Sequence, residues 1–215
     1  MSFNFSPKIV TDGLVLYLDA ANNKSYSGTG TLWKDITGSG YDGLLTNSPT
    51  FLNENKGNFL FDGINEYVVW GSNVLSPLTN ITYDCWFKCD GSAYSFFTIS
   101  SQNLRIYYQH TNSTWYIAFG GQNIFFTRSY DTNWTNFTYR YDGVTHFCNV
   151  NGINYPFTLG SGTSSQVNLR ISGRDNIGAE FNFKGSVANT KIYNRSLSTT
   201  EILQNYNTTK NRFEL

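Results

Sequence analysis

Hydrolysis of a glycosidic bond by a retaining enzyme needs two carboxyl groups about 5–5.5 Å apart, and this chain is poorly equipped to supply them. Its glutamates are Glu54, Glu66, Glu180, Glu201 and Glu214, none two residues from another carboxylate within a predicted strand. Glu201 has a simpler use, because Ser198 and Glu201 form the S-x-x-E capping box that starts a helix. No Ser-His-Asp order with supporting motifs occurs, and His146 follows a hairpin turn. Cys85 and Cys89 share one face of a predicted strand and stand roughly 13 Å apart at about 3.3 Å per residue. A disulfide needs Cα atoms within about 7 Å, so these two do not bridge. With Cys148 the thiols are odd in number and read as small buried hydrophobes. Metal binding by three scattered thiols, with His110 and His146 unplaced, has little to support it.

Binding is the better-supplied chemistry. Aromatic residues are 17% of the chain, and the polar remainder is largely Asn, Ser, Thr and Gly. Sugar recognition uses such a mixture: ring faces against C–H surfaces, amides and hydroxyls for the sugar's own hydroxyls. Trp33, Trp70, Trp115, Trp134, Tyr107 and Tyr108 are available. Strand aromatics also build cores and cross-strand pairs, so residue type alone selects no ligand site. Trp86 lies on the outward parity of its strand and expects cover from a neighbouring element or subunit.

These side chains sit on strands. In Ile81–Lys88 the odd positions Ile81, Tyr83, Cys85 and Phe87 alternate with Thr82, Asp84, Trp86 and Lys88, the pattern of a half-buried antiparallel strand. Further strands are predicted at Leu14–Asp19, Asn58–Asp62, Tyr67–Trp70, Tyr94–Ser100, Leu104–Gln109, Trp115–Phe119, Ile124–Thr127 and Val167–Ile171, with a short edge segment at Trp33–Ile36. Asp142-Gly143 and Asn151-Gly152 are type I′ hairpin signals that make a meander of residues 134–157. The last long strand runs from Phe181 to Tyr193 with unbroken period-two alternation. After it comes one helix with Ile202, Leu203 and Tyr206 as its apolar stripe.

Taken in order, several of these segments resemble the laminin-G-like branch of the concanavalin A-like lectin/glucanase jelly rolls. The likeness is carried by Gly13-Leu14-Val15-Leu16-Tyr17-Leu18-Asp19-Ala20-Ala21-Asn22, by Trp33-Lys34-Asp35 with Gly38-Ser39-Gly40-Tyr41-Asp42-Gly43, and by Phe61-Asp62-Gly63 with Glu66-Tyr67. It continues through Ile81–Lys88, Trp134–Gly143, Val150-Asn151-Gly152 and Ile192–Ser198. The resemblance implies an all-β fold: a two-sheet antiparallel jelly-roll β-sandwich with a short C-terminal helix, spanning residues 12–215 behind an N-terminal arm, residues 1–11. Many such domains hold calcium, which takes six to eight oxygens. Asp62 and Glu66 around Gly63 are the best local pair here, with Asp19 and Asp142 more distant candidates; no cofactor is required. Hydrolytic members place their acids as E-x-D-x-x-E, which this chain lacks, so the resemblance implies a protein that is not an enzyme.

The opening Asp12–Asn22 with Ser25-Tyr26 and the closing Ile202–Phe213 resemble laminin-G-like proteins in virions of tailed phages. That likeness implies a capsid-decoration or fibre component on the virion surface, made in the host cytoplasm. Its partners would be other virion structural proteins and host-surface glycans. The alternatives are a cellular carbohydrate-binding lectin module and a glycan hydrolase. A net charge of zero with only 14% charged residues argues against nucleic acid and gives little self-repulsion, so homo-oligomers are expected. Residues 1–7 carry no apolar leader core or cleavage site, and no run suits membrane insertion.

Overall fold

The computed structural model describes residues 8–70, 80–90, 94–95, 104–109, 113–119, 122–128, 132–161, 169–172 and 182–215. Among these, the strands form three antiparallel sheets. The largest has the order β14 (Ile153–Tyr155), β13 (His146–Val150), β12 (Thr135–Tyr141), β7 (Ile81–Cys89), β17 (Lys184–Tyr193), β5 (Asn58–Asp62), β4 (Thr50–Leu52), with β1 (Leu14–Asp19) also paired to β17. The second is β15 (Thr158–Ser161), β11 (Gln122–Thr127), β10 (Thr114–Phe119), β9 (Leu104–Gln109), β8 (Tyr94–Ser95). The third is β16 (Leu169–Ile171), β6 (Tyr67–Trp70), β3 (Gly43–Thr46), β2 (Leu32–Trp33).

The second and third sheets face the inner side of the first. Trp115 of β10 stacks on Phe137 of β12 at 4.6 Å, and Trp33 of β2 lies 4.8 Å from Phe59 of β5. One apolar cluster joins all three sheets. The all-β sandwich that the resemblance implies is therefore the fold, with its facing layer in two hydrogen-bonded pieces. The tail of the predicted strand at Tyr94–Ser100 lies outside the described residues, as do residues 167–168 and Phe181.

Strand β17 departs from the unbroken alternation. Its pairing with β7 slips between Val187 and Asn189. Phe183 and Val187 face the core, as does Ile192, while Ala188 belongs to an aromatic cluster on the other side of the sheet. A bulge re-aims the strand, so Asn189, Lys191 and Tyr193 point outward. Just upstream, Gly185 is obligatory: its φ is +145°, and a Cβ there would meet the Lys88 carbonyl oxygen at 2.2 Å.

Of the two hairpin signals, one is met as expected. Asn151 and Gly152 link β13 to β14 with φ of 51° and 79°, the double positive φ of a type I′ turn. The other makes a longer turn. The chain between β12 and β13 takes four residues, 142–145, because the Asp142 Oδ1 accepts the Val144 and Thr145 amides at 3.0 and 2.7 Å. The edge segment at Trp33–Ile36 is also shorter than predicted, ending at Trp33. There the Asp35 carboxylate takes the Tyr17 and Thr37 amides, both at 3.0 Å, and turns the chain.

Helix α1 (Thr199–Thr209) starts at the predicted capping box, with both reciprocal hydrogen bonds present. A 3-10 turn over Lys210–Phe213 follows. The stripe is not quite as read: Ile202 is buried, Leu203 is exposed, and Asn205 is buried in its place. Asn205 accepts the Val10 amide at 2.8 Å and donates to the Tyr193 hydroxyl at 3.0 Å. Val10 is buried against Tyr193, Leu197 and Ile202. The arm is thus not separate from the sandwich at its described end, residues 8–11, because its backbone supplies partners to the helix. None of the described helices is long and apolar enough to cross a membrane.

Candidate functional site

The two outer faces of the sandwich follow from strand parity. On the first sheet, Asp84, Asn136, Thr138, Asn189 and Lys191 point outward and are all buried. The Lys191 ammonium donates to Asp84 Oδ1 at 2.6 Å and to Asn189 Oδ1 at 3.1 Å. Thr138 and Asn136 donate to Asp84 Oδ2 at 2.8 and 3.2 Å. Beside them Trp86 stacks on Tyr206 and on Phe213, with centroids 5.8 and 4.2 Å away, and donates to Thr209 Oγ1 at 2.8 Å. The expected cover of Trp86 is this helix and its 3-10 extension. Arg212 locks them down: it pairs with Asp19 Oδ1 at 2.7 Å and donates to the Asn55 and Gly57 carbonyls. Among the described residues, the Asp84–Lys191 and Trp86 clusters are thus filled by side chains that partner one another.

The outer face of the second sheet is different. In β9, Ile106 and Tyr108 face the core, so Tyr107 faces out; Trp115, Ile117 and Phe119 do the same for Tyr116 in β10, and Ile124 and Phe126 for Phe125 in β11. The register sets Tyr107 opposite Tyr116 and Tyr116 opposite Phe125. Tyr107 and Tyr116 stack at 4.7 Å with planes 6° apart, and Phe125 follows at 6.2 Å, tilted 38°. All three rings are half-buried, and Asn123, two residues from Phe125 on the same side, is half-buried too. The result is an aromatic row crossing three strands, with Asn123 beside it. Such a row offers part-exposed aromatic rings for contact with the C–H surface of a sugar.

The sequence candidates for sugar contact fare unevenly. Trp33, Trp70, Trp115 and Tyr108 are core residues. Trp134 packs on Phe213 and donates to Asn55 Oδ1 at 2.9 Å. Tyr107 alone reaches the open row, and Tyr116 and Phe125 were not singled out. The signal for them was present: each is an aromatic residue on the outward parity of a strand whose inward parity is already apolar.

Asp62 and Glu66 do come together, as parts of one turn. The Glu66 Oε2 accepts the Asp62 amide at 2.7 Å, and Asp62 Oδ1 accepts the Ile64 amide at 2.7 Å. The turn's carbonyls already accept side-chain hydrogens, Asn65 from Asn47 at 2.7 Å, Glu66 from Ser172 at 2.8 Å, and Ile64 from Asn182. Burial pushes the Glu66 carboxyl upward, against the pull of its hydrogen bond from the Asp62 amide. Two carboxylates with occupied carbonyls fit a turn and fall short of a calcium shell of six to eight oxygens. Among the described residues no three His, Cys, Asp or Glu side chains converge. Asp19 is held by Arg212 and by the Tyr17 hydroxyl at 2.9 Å, and Asp142 by its own turn. All three cysteines are buried thiols, and burial pushes Cys85 and Cys148 up. His146 is buried, with its Nδ1 2.8 Å from the Tyr139 hydroxyl. His110 and Glu180 lie outside the described residues.

Similar folds occur in structures solved with sugar ligands. The structure of Trypanosoma rangeli sialidase in complex with sialic acid matches with a TM-score of 0.68 at 18% identity, over 94% of this chain and 34% of that one. The binding domain of botulinum neurotoxin DC in complex with SialylT matches with a TM-score of 0.69 at 11% identity, over 92% of this chain and 52% of that one. The chain therefore spans about a third and about half of these proteins, and identities this low speak to the fold alone. No curated protein matches the sequence. The family model for concanavalin A-like lectin/glucanases, of the laminin-G type, matches residues 62–203, from the turn at Asp62 through the bulged strand to helix α1. The chain belongs to the concanavalin A-like lectin/glucanases superfamily.

Proposed function

We propose that this protein is a non-catalytic glycan-binding module carried on the virion surface of a tailed phage, as a capsid decoration or fibre component. The observation that carries the binding reading is the part-exposed row Tyr107, Tyr116 and Phe125 on the outer face of the second sheet. Lack of catalysis is supported by the uses already found for the described carboxylates. Asp84 and Asp19 are in ion pairs, Glu201 pairs with Arg195, and Asp35, Asp62 and Asp142 close turns. The virion reading is supported by the likeness of the opening and closing segments to phage laminin-G-like proteins. Many copies on one particle, assembled with one another and with other virion proteins, would make weak single-site affinity effective.

A glycan array probed with the purified domain, run beside a reducing-end assay on the same glycans, tests the reading. Binding without release of reducing ends, lost in Tyr116→Ala, is the expected result. Release of reducing ends would make the protein a hydrolase, and binding that survives Tyr116→Ala would move the site elsewhere. Mass spectrometry of purified particles tests the location, and absence of the chain from them would leave a cellular lectin.

A further inference from the structure

We infer that the loop between β1 and β2 is a second binding site, one that takes an anionic group on a sugar. A cavity of about 250 Å³ opens there, lined by Lys24, Lys34, Asn23, Ser27, Thr29 and Thr31 among others, with no carboxylate in its wall. Neither the Lys24 nor the Lys34 ammonium has an ion-pair partner among the described residues. Both are exposed. In a chain of zero net charge, two unmatched cations at one polar cavity are a local excess that an anion would neutralise.

The cavity is built rather than accidental. Ser25 and Lys34 are cross-linked: the Lys34 amide donates to the Ser25 carbonyl at 2.7 Å, and Ser25 Oγ donates to the Lys34 carbonyl at 2.6 Å. That pair of bonds sets Lys24 and Lys34 on the same wall. Below them Ser25 and Tyr26 are buried. The Tyr26 ring packs 4.7 Å from Phe59 and its hydroxyl donates to the Gly30 carbonyl at 3.1 Å. The Asn22 side chain accepts the Lys24 amide at 2.9 Å, fixing the turn that carries it. The loop backbone is thus ordered before a ligand arrives, and only the two lysine side chains remain to be fixed.

The chemistry of the lining sets the ligand class. Two lysines act as point charges for a carboxylate or a sulfate, while Asn23, Ser27, Thr29 and Thr31 can bond sugar hydroxyls. The volume is below the roughly 300–1,000 Å³ of pockets that engulf drug-sized ligands, so it suits one terminal unit. This assignment of a sugar rests on the glycan-binding reading; the anion preference rests on the loop alone. The aromatic row would take the apolar face of a sugar chain, and the lysine cavity its acidic part.

The test follows backbone amide shifts of residues 22–34 while the intact domain is titrated with a sulfated monosaccharide, a uronic acid and their neutral parent sugar. The acidic sugars should move these amides with an affinity that falls as salt rises, and the neutral sugar should not. Whichever acid acts more strongly identifies the source, sulfate or carboxylate. A Lys24→Gln/Lys34→Gln variant should bind the acidic sugars about tenfold more weakly while keeping the wild-type circular dichroism spectrum. Equal shifts from the neutral parent, or an unchanged response in the variant, would overturn the inference. The array with Tyr116→Ala is read separately. Neutral-glycan binding that survives Tyr116→Ala beside an intact loop response would remove the proposed row and leave the loop, whereas binding lost in Tyr116→Ala with no loop response to the acidic sugars would remove the loop alone.

Discussion

On the outer side of the first sheet, Trp86 is closed between Tyr206 and Phe213, and a lysine and an aspartate are paired with no access to water. On the outer side of the second, Tyr107, Tyr116 and Phe125 stand in a row of similar composition with their rings part-exposed. The difference lies in the chain's C-terminal segment. Helix α1 and its 3-10 extension lie over one face, and among the described residues no helix lies over the other. Burial turns the first set of side chains into stabilising contacts, whereas exposure leaves the second set with surface to offer. The contrast makes a general point: residue type identifies candidates for binding, and cover decides which of them remain available.

The largest effect should come from the sealed face. Lys191→Met leaves Asp84 buried with Thr138 and Asn136 donating to it and no cation beside it among the described residues, and loss of one partner of a buried ion pair costs about 3–5 kcal/mol. Urea unfolding at neutral pH should show that loss, and Asp84→Asn/Lys191→Met should recover much of it. A loss below about 1 kcal/mol would mean that water reaches the pair and that the face is not sealed. Next comes Phe213→Ala, which uncovers Trp86 and Trp134 together. A buried phenylalanine truncated to alanine costs about 3–4 kcal/mol, and glycan affinity should not change.

Much of this architecture is legible in residue order, and the exceptions have physical causes. Period two gives β1, β5, β6 and β9 their boundaries, and the capping box gives α1 its first turn. The bulge at Val187–Asn189 is not announced by composition, since an inserted residue shows only as apolar side chains changing parity, from Val187 to Ile192. Asp142 lengthens its hairpin because a side chain can take amides that a two-residue turn would leave to the backbone. The aromatic row escapes a strand-by-strand reading for another reason. Each of its members looks ordinary alone, and only the registers of β9, β10 and β11 bring them opposite one another. The Asp62–Glu66 pair shows the converse, where adjacency in sequence proves to be the stitching of a turn.

Tyr116→Ala should invert the pattern of Phe213→Ala. A half-exposed ring at a cross-strand pair contributes up to about 1 kcal/mol to the sheet, but its loss from a sugar contact should weaken glycan binding about tenfold, near 1.4 kcal/mol. Calorimetry on an array-positive glycan, beside urea unfolding, measures both. If stability falls by several kcal/mol while affinity holds, the row is a structural ladder and the two faces do not differ in kind.

Acid should separate the two sides by pH. Arg195 and the Ser198 hydrogen bonds hold the Glu201 carboxyl down, from 4.5 to about 2. Its pKa is depressed on folding, so its contribution is complete above pH 4.5 and is lost as pH falls from there toward 2. With about a quarter of each partner's side chain exposed, 27% and 28%, screening reduces that contribution to about 1 kcal/mol. Burial pushes the His146 pKa below its usual 6.5, with the Asp142 carboxylate pulling the other way. Its neutral form is the folded one, so its share of stability is complete above pH 6.5 and lost as pH falls below that. His146 lies where β13 meets Phe119 of the open-faced sheet, with ring centroids 6.1 Å apart, while Glu201 belongs to the first turn of the covering helix. Unfolding midpoints measured across pH should therefore drop in two windows, the upper one flattened in His146→Gln and the lower one in Glu201→Gln. A single window abolished by either substitution would show that the covered and open sides loosen as one unit.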